Sequence, residues 1–169
     1  MASEFKVRRA RLSDAAAIAQ FVNAAQPGKP SALEVTRSSV TERFGQIGFA
    51  VVEHAGELVG LLGWQVENLV VRVTDYLVAS SVADPVTVAR ALVSNMEAAA
   101  LDLRAEVVLL FLPADPRPQL VAFWDGLGYE FACVDGLHTA GREAIAESGL
   151  DAQNVMSKFL REDAVQRPM

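Results

Sequence analysis

Residues 48–79 read GFAVVEHAGELVGLLGWQVENLVVRVTDYLVA, and this stretch decides the fold. Its β-branched and aliphatic residues follow the period of strands, with short polar breaks between the runs. The predicted strands are 49–53, 58–65 and 69–79. Gly56 lies in the first break, where glycine supplies the positive φ that a tight hairpin turn requires. We therefore predict an antiparallel meander of three strands.

The flanking sequence adds helices on both sides of this meander. Asp84-Pro85 begins the longest predicted helix, because proline is tolerated at a first helical position and an apolar stripe runs on to Ala99. Residues 107–112 form an aliphatic run without alternation, which is typical of a strand buried on both faces. The other predicted elements are strands at 5–10, 129–134 and 155–160 and helices after Ser13-Asp14 and at 31–44, 119–127 and 139–148.

This pattern predicts an α/β (α+β) fold with about seven strands, three of them in the antiparallel meander, and helices between them. No repeat or long linker divides the chain, so we predict a single domain over 1–169 with a C-terminal tail at 161–169. The tail follows the last strand directly and is a candidate arm for a second subunit.

Composition narrows the classes of partner. The net charge of −6 argues against nucleic acid, because phosphate contacts need a clustered basic face and the only basic stretch is 6–11. No apolar run has the length of a membrane helix, and no Cys/His cluster indicates a metal site. The lone Cys133 fits a reducing cytoplasm and is expected to be a small buried strand residue. A hydrophobic content of 51% suggests a homodimer.

Two local motifs, in this element order, resemble the GNAT (GCN5-related N-acetyltransferase) superfamily. Residues 123–130, Phe-Trp-Asp-Gly-Leu-Gly-Tyr-Glu, are similar to the family's aromatic helix that runs into a Leu-Gly-Phe/Tyr-Glu turn. Residues 90–99, which begin Arg-Ala-Leu-Val, resemble the start of its CoA-side helix. The resemblance implies a GNAT-like mixed, mostly antiparallel central sheet of about seven strands flanked by helices. It also implies an N-acetyltransferase that moves an acyl group from acetyl-CoA to a primary amine of a small molecule or peptide.

The same resemblance implies where the cofactor binds. Backbone groups of the fourth strand would hold the pantetheine arm, and a loop of pattern Arg/Gln-x-x-Gly-x-Gly/Ala would wrap the pyrophosphate at a helix N-terminus. The implied cofactor residues are Leu77, Val78, Ala79, Thr87, Val88, Ala89, Arg90, Arg117 and Trp124. The loop falls on 84–89 and is degenerate: Asp84 is negative, Pro85 lacks an N–H, Thr87 replaces a glycine, and only Ala89 agrees.

The acid–base residues also depart from the family. Its general-acid tyrosine and its cofactor-holding asparagine correspond to Trp124 and Arg117, and an indole cannot deliver a proton to a thiolate. Glu67 and Asp75 are the candidate carboxylates for deprotonating the amine. Their alternative interpretation is that both are solvated carboxylates at a turn and an edge. Arg72 is expected to pair with a carboxylate of the meander.

Three interpretations remain open from the sequence. The first is the N-acetyltransferase. The second is a catalytically degenerate, dimeric binding or regulatory protein with the GNAT fold that does not use acetyl-CoA, which the substitutions at Asp84, Pro85, Thr87 and Trp124 favour. The third is an unrelated α/β sandwich with a similar element order. Trp64 and Trp124 are expected to pack in the core, the alternative being that they line a ligand pocket.

Overall fold

The computed structural model describes residues 4–26, 28, 34–150 and 152–161. The elements are β1 (Lys6–Arg9), α1 (Ala15–Ala24), α2 (Arg37–Arg43), β2 (Gly48–His54), β3 (Glu57–Glu67), β4 (Val70–Val78), α3 (Pro85–Asp102), β5 (Val107–Phe111), α4 (Pro118–Gly126), β6 (Glu130–Phe131), α5 (Thr139–Ser148) and β7 (Val155–Phe159). The helix end predicted at 27–30 and the tail predicted at 161–169 fall outside the described residues, except for Gly28 and Arg161.

The strands form one seven-stranded sheet in the order β1-β2-β3-β4-β5-β7-β6. The registers of β1 with β2, β2 with β3, β5 with β7 and β6 with β7 are antiparallel. The register of β4 with β5 is parallel and joins Val70–Arg72 to Val107–Leu109. The predicted fold class, a mostly antiparallel sheet flanked by helices, is confirmed.

Two tight turns shape the meander. Between β2 and β3, Ala55 has φ 52° and Gly56 has φ 82°, so both turn residues lie in the left-handed region that a two-residue hairpin loop favours. Between β3 and β4, Asn68 (φ 51°) and Leu69 (φ 67°) adopt the same region. The second turn places a γ-branched residue where glycine or asparagine is usual, which costs conformational energy.

The chain divides into two compact units. The first comprises 1–64 and 74–96, and the second comprises 65–73 and 97–169. The first unit has a core in which α1 and α2 pack on β2 and β3, with Ile18, Val40, Phe49, Val51 and Leu61 fully buried. Burial of each such aliphatic or aromatic side chain contributes about 1.5–3 kcal/mol.

The second unit has its own apolar core. Leu109 of β5 and Val155 of β7 pack with Leu137 and with Ile145 of α5. The run 107–110 is buried throughout, as its lack of alternation predicts. The helix predicted at 139–148 is confirmed and packs into this core.

Two elements differ from the sequence predictions. The helix predicted at 31–44 begins only at Arg37 and ends at Arg43, and residues 34–36 are not helical. Its start is fixed by a reciprocal capping box between Thr36 and Ser39. The strand predicted at 129–134 ends at Phe131, and a 3₁₀ turn over Val134–Gly136 follows.

The early end of β6 corrects the prediction for Cys133, which is exposed rather than buried. Its carbonyl accepts a hydrogen bond from the Gly136 amide at 3.0 Å. The reason is that Asp135-Gly136 is a turn-forming pair, and its local preference overrides the strand propensity of the preceding apolar residues.

Candidate active site

The end of β4, in the first unit, has a residue whose backbone amide and carbonyl point away from the neighbouring strand β3. The Ala79 amide donates to the Val59 carbonyl of β3 at 2.9 Å, and the Ala79 carbonyl accepts from Val82 at 3.3 Å. Because backbone groups of consecutive strand residues point to opposite edges, those of Val78 point away from β3. Among the three strand residues predicted to hold an arm, Leu77 shares the direction of Ala79. Val78 is therefore the one whose amide and carbonyl face outward.

The next element, α3, begins with a carboxylate at its N-terminus. The Thr87 amide donates to Asp84 Oδ1 at 3.1 Å, and the Thr87 hydroxyl donates to Oδ2 at 2.5 Å. The Val88 amide donates to the Asp84 carbonyl at 3.5 Å, and Pro85 has no amide to offer. The Thr87 hydroxyl, followed by the Thr87 and Val86 amides, lowers the pKa of Asp84. Asp84 is thus an N-cap, a role that the sequence comparison with the loop pattern did not indicate.

The remaining loop residues divide by burial. Val88 and Ala89 are buried, at 0% and 2% exposure, and Val88 packs against the position of Gly60 on β3. Thr87 and Arg90 are exposed. Of these four residues near the start of α3, two therefore offer polar side chains to solvent and the other two point into the core.

Asp75 of β4 lies in a network of charged and polar side chains. It accepts hydrogen bonds from the Arg43 guanidinium of α2 at 3.1 and 2.5 Å and from the Thr74 hydroxyl at 2.7 Å. A Cβ at Gly63 would stand 2.5 Å from Asp75 Oδ2, so glycine at this position makes room for the carboxylate. Arg43 also lies over the Phe49 ring, 5.3 Å from its centroid. Asp75 is therefore a carboxylate fixed by hydrogen bonds to Arg43 and Thr74, rather than a solvated edge residue.

Glu67, the other candidate base, lies in the second unit. Its side chain is 57% exposed and accepts a hydrogen bond from Arg72 at 3.1 Å, which confirms the pairing predicted for Arg72. Arg72 also lies 3.6 Å from Glu147. An ion pair this exposed contributes little, on the order of 0–1 kcal/mol.

Trp124 lies in the core of the second unit, at 1% exposure, as predicted. Its ring meets those of Phe123 and Tyr129 edge to face, with centroids 5.3 and 5.0 Å apart. Arg117, at the start of α4, is exposed. Trp64 of the first unit is likewise buried, at 2% exposure.

The second unit also contains a polar network that was not predicted from the sequence. Glu97 accepts the Tyr129 hydroxyl at 2.9 Å and the Lys158 ammonium at 3.1 Å to both of its oxygens. Lys158 also stands over the Tyr129 ring, 5.6 Å from its centroid. Burial, and then the Glu97 charge, raises the pKa of Tyr129. A phenol held this way is a structural donor and a poor proton source.

Neither the hollow beside β1 nor a search for metal-binding clusters indicates a second candidate site among the described residues. A hollow of about 640 Å³ lies by β1 and the β2–β3 turn, and its lining contains none of the predicted site residues. Within the described residues, no group of three or more His, Cys, Asp or Glu could hold a metal ion. In the same part of the chain, no helix is long and apolar enough to cross a membrane.

Comparison with known proteins identifies the fold. No family model matches the sequence, and neither does any curated protein sequence. Solved structures do match. A GNAT-family acetyltransferase from Staphylococcus aureus Mu50 has a TM-score of 0.70 at 11% identity, over 94% of this chain and 100% of that one.

Two further structures extend the likeness. The ribosomal-protein-S18-alanine N-acetyltransferase of Escherichia coli has a TM-score of 0.66 at 11% identity, over 98% of this chain and 100% of that one. The PaiA N-acetyltransferase of Thermoplasma acidophilum was solved in complex with coenzyme A. Its TM-score is 0.63 at 11% identity, over 92% of this chain and 99% of that one. At these identities the likeness shows that this chain has the GNAT fold.

Proposed function

We propose that this chain is an N-acyltransferase that moves an acyl group from a thioester to a primary amine of a small molecule or peptide. The observation that supports it most is the end of β4, where the amide and carbonyl of Val78 face away from β3 within a GNAT fold. A strand edge of this kind binds an extended, amide-containing arm by backbone hydrogen bonds, whatever its side chains are.

The residues fit acetyl-CoA in part. Val78 suits the pantetheine arm, whose two amides match a backbone edge. The N-terminus of α3 does not suit a pyrophosphate, because the Thr87 amide already donates to the Asp84 carboxylate and Pro85 has no amide. Acetyl-CoA, when bound, would supply an acyl group activated as a thioester. We assign the arm to Val78, flanked by Leu77 and Ala79, and assign no role in holding it to Val88, Ala89 or Trp124, which are buried.

On the acceptor side we assign Asp75 to orient the amine. Its carboxylate already accepts three hydrogen bonds, so it is better placed to hold an amine than to remove its proton. The neutral amine then attacks the thioester carbonyl carbon. The C–N bond forms as the C–S bond breaks, and the proton lost by nitrogen passes through water to the departing sulfur. Glu67, the other candidate carboxylate, belongs to the second unit, and we assign it no role in this step.

The test is thermal unfolding with and without millimolar acetyl-CoA and S-acetylpantetheine, followed by mass spectrometry of an amine panel. A ligand at 100 times its Kd stabilises the native state by about 2.7 kcal/mol. In a chain of this size, this raises Tm by about 2–4 °C per kcal/mol. Val78→Pro, which deletes the outward amide, should abolish the shift, and the matched Val78→Ala should keep it. An unchanged Tm with both thioesters and no acylated amine would refute the proposal.

A second candidate function is a GNAT-fold binding or regulatory protein without a thioester cofactor. The Asp84 cap favours it, because the chain's own carboxylate occupies the N-terminus where the family binds pyrophosphate. It predicts no Tm shift with either thioester in wild type or in any variant at Asp84. For either function we propose a homodimer in the cytoplasm.

A further inference from the structure

The N-terminus of α3 is capped by the negatively charged carboxylate of Asp84. Asp84 accepts both the amide and the hydroxyl of Thr87, and its carbonyl accepts the Val88 amide. Pro85 contributes no amide. A helix N-terminus binds a phosphate through free N–H groups and its dipole, and here the Thr87 amide already donates to a carboxylate of the same chain that lies at the positive end of the dipole.

A diphosphate brought to this position would meet Asp84 as a like charge. It would also have to displace the Asp84 carboxylate from Thr87 and leave α3 without its cap. Arg90, exposed on the second turn of α3, is the cation nearest in sequence, and it cannot supply the lost amides. The pantetheine portion carries no charge, and the outward backbone groups of Val78 require none.

We infer that the thioester donor of this chain is an acyl-pantetheine without the adenosine diphosphate portion of coenzyme A. The inference rests on the proposed acyl transfer and narrows its donor. The shared chemistry is an acyl-pantetheine thioester. It exists as an uncharged small molecule, or as the prosthetic arm of a carrier protein, where a single phosphodiester stands in place of the diphosphate of coenzyme A. The transfer releases the pantetheine thiol and forms the amide on the acceptor nitrogen.

The experiment measures Kd by isothermal titration for acetyl-CoA, S-acetylpantetheine and an acetyl-loaded carrier protein. Wild type is compared with Asp84→Asn, which keeps an N-cap side chain and removes its charge. Wild type should bind S-acetylpantetheine at least about tenfold more tightly than acetyl-CoA. In Asp84→Asn the ratio of the two dissociation constants should fall several-fold toward one. Comparison of the carrier-protein and free-pantetheine arms identifies the source of the donor.

Salt gives a readout that is independent of activity. Like-charge repulsion is screened at high ionic strength, so the affinity of wild type for acetyl-CoA should rise with salt and that for S-acetylpantetheine should not. The rise should vanish in Asp84→Asn. A double variant, Asp84→Arg with Thr87→Gly, restores the family's loop pattern and should gain affinity for acetyl-CoA.

The outcomes separate this inference from the proposed function. Tighter binding of acetyl-CoA than of S-acetylpantetheine by wild type, or a ratio unchanged in Asp84→Asn, would overturn the inference and leave acyl transfer standing. Failure of every thioester to bind wild type and both variants, with native unfolding transitions, would overturn both.

Discussion

Charged side chains from distant parts of the sequence define the polar centres of each unit. Arg43 and Asp75 are 32 residues apart, and Lys158 and Glu97 are 61 apart. Each pair joins a helix to a strand. Nothing in local spacing indicates such pairs, because they form only when the sheet brings the elements together. Arg72 and Glu67 are only five residues apart across a turn, so a pairing of Arg72 with a carboxylate of the meander could be predicted from the sequence.

The two tyrosines lead to a prediction of how the stability of the native state depends on pH. The chain has two, and burial raises the pKa of Tyr76 to about 12, while burial and Glu97 raise that of Tyr129. A raised tyrosine pKa means that the native state holds its proton more tightly than the unfolded state, whose value is about 10. The stability this confers is complete below pH about 10 and is lost as pH rises toward the folded values.

Spectrophotometric titration of tyrosinate checks this. The native protein should show no ionisation step near pH 10, whereas the protein in denaturant should titrate there with the full amplitude. Tyr76→Phe should halve the amplitude in denaturant and remove the native step near pH 12. A native midpoint near 10 would contradict the burial of both phenols.

At the scale of elements, sequence pattern predicted the meander, α3, β5, α5 and β7, because each has a strong period or a clear boundary signal. Ala55-Gly56 marks one turn and Asp84-Pro85 marks a helix start. The pattern failed at β6, where an apolar run was interrupted by turn chemistry. Asp84 was predicted only as the start of a helix and as a departure from the loop pattern, and its hydrogen bonds with Thr87 show that it also caps α3.

Close packing of α3 on β3 leads to a prediction for Gly60. A Cβ at Gly60 would stand 2.7 Å from Val88 Cγ1, inside any normal contact distance. We expect Gly60→Ala to lower the free energy of unfolding by about 1–3 kcal/mol through overpacking. Val88→Ala removes the opposing methyl groups and leaves a small cavity. The double variant should therefore be more stable than the sum of the two losses predicts.

The measurement is a double-mutant cycle by chemical denaturation, with the interaction expected to be about 0.5–3 kcal/mol. Gly56→Ala is a useful contrast. Its Cβ would meet nothing within 4 Å, but its φ of 82° makes the change costly through backbone strain alone, with no coupling to Val88. Strict additivity at Gly60 and Val88 would show that α3 moves aside to accommodate the added methyl.

For the whole molecule, the element order and two short motifs were enough to predict the GNAT fold, which the solved structures confirm. Activity is less predictable, because it depends on a few groups whose partners come from elsewhere in the chain. Asp75 was a candidate base by position alone, and its contacts with Arg43 and Thr74 favour an orienting role. A fold thus fixes where a site can be, while the side-chain contacts decide what the site can bind.

The homodimer is a prediction at this largest scale. Phe131 on the edge strand β6 and Phe159 on β7 are 51% and 50% exposed, and both line one hollow of the second unit. Two half-exposed aromatic rings beside a sheet edge are costly to leave in water and are enriched at interfaces between chains. Sedimentation equilibrium should therefore give a mass near twice 18.2 kDa.

Phe131→Lys should shift that equilibrium toward the monomer, because it places a charge in the proposed interface and edge lysines oppose strand pairing. Leu12→Lys is the matched control, since Leu12 is 57% exposed in the first unit and should leave the mass unchanged. Equal dissociation by both changes would locate the interface elsewhere. A wild-type mass of 18.2 kDa at micromolar concentration would mean that the exposed rings serve a different partner.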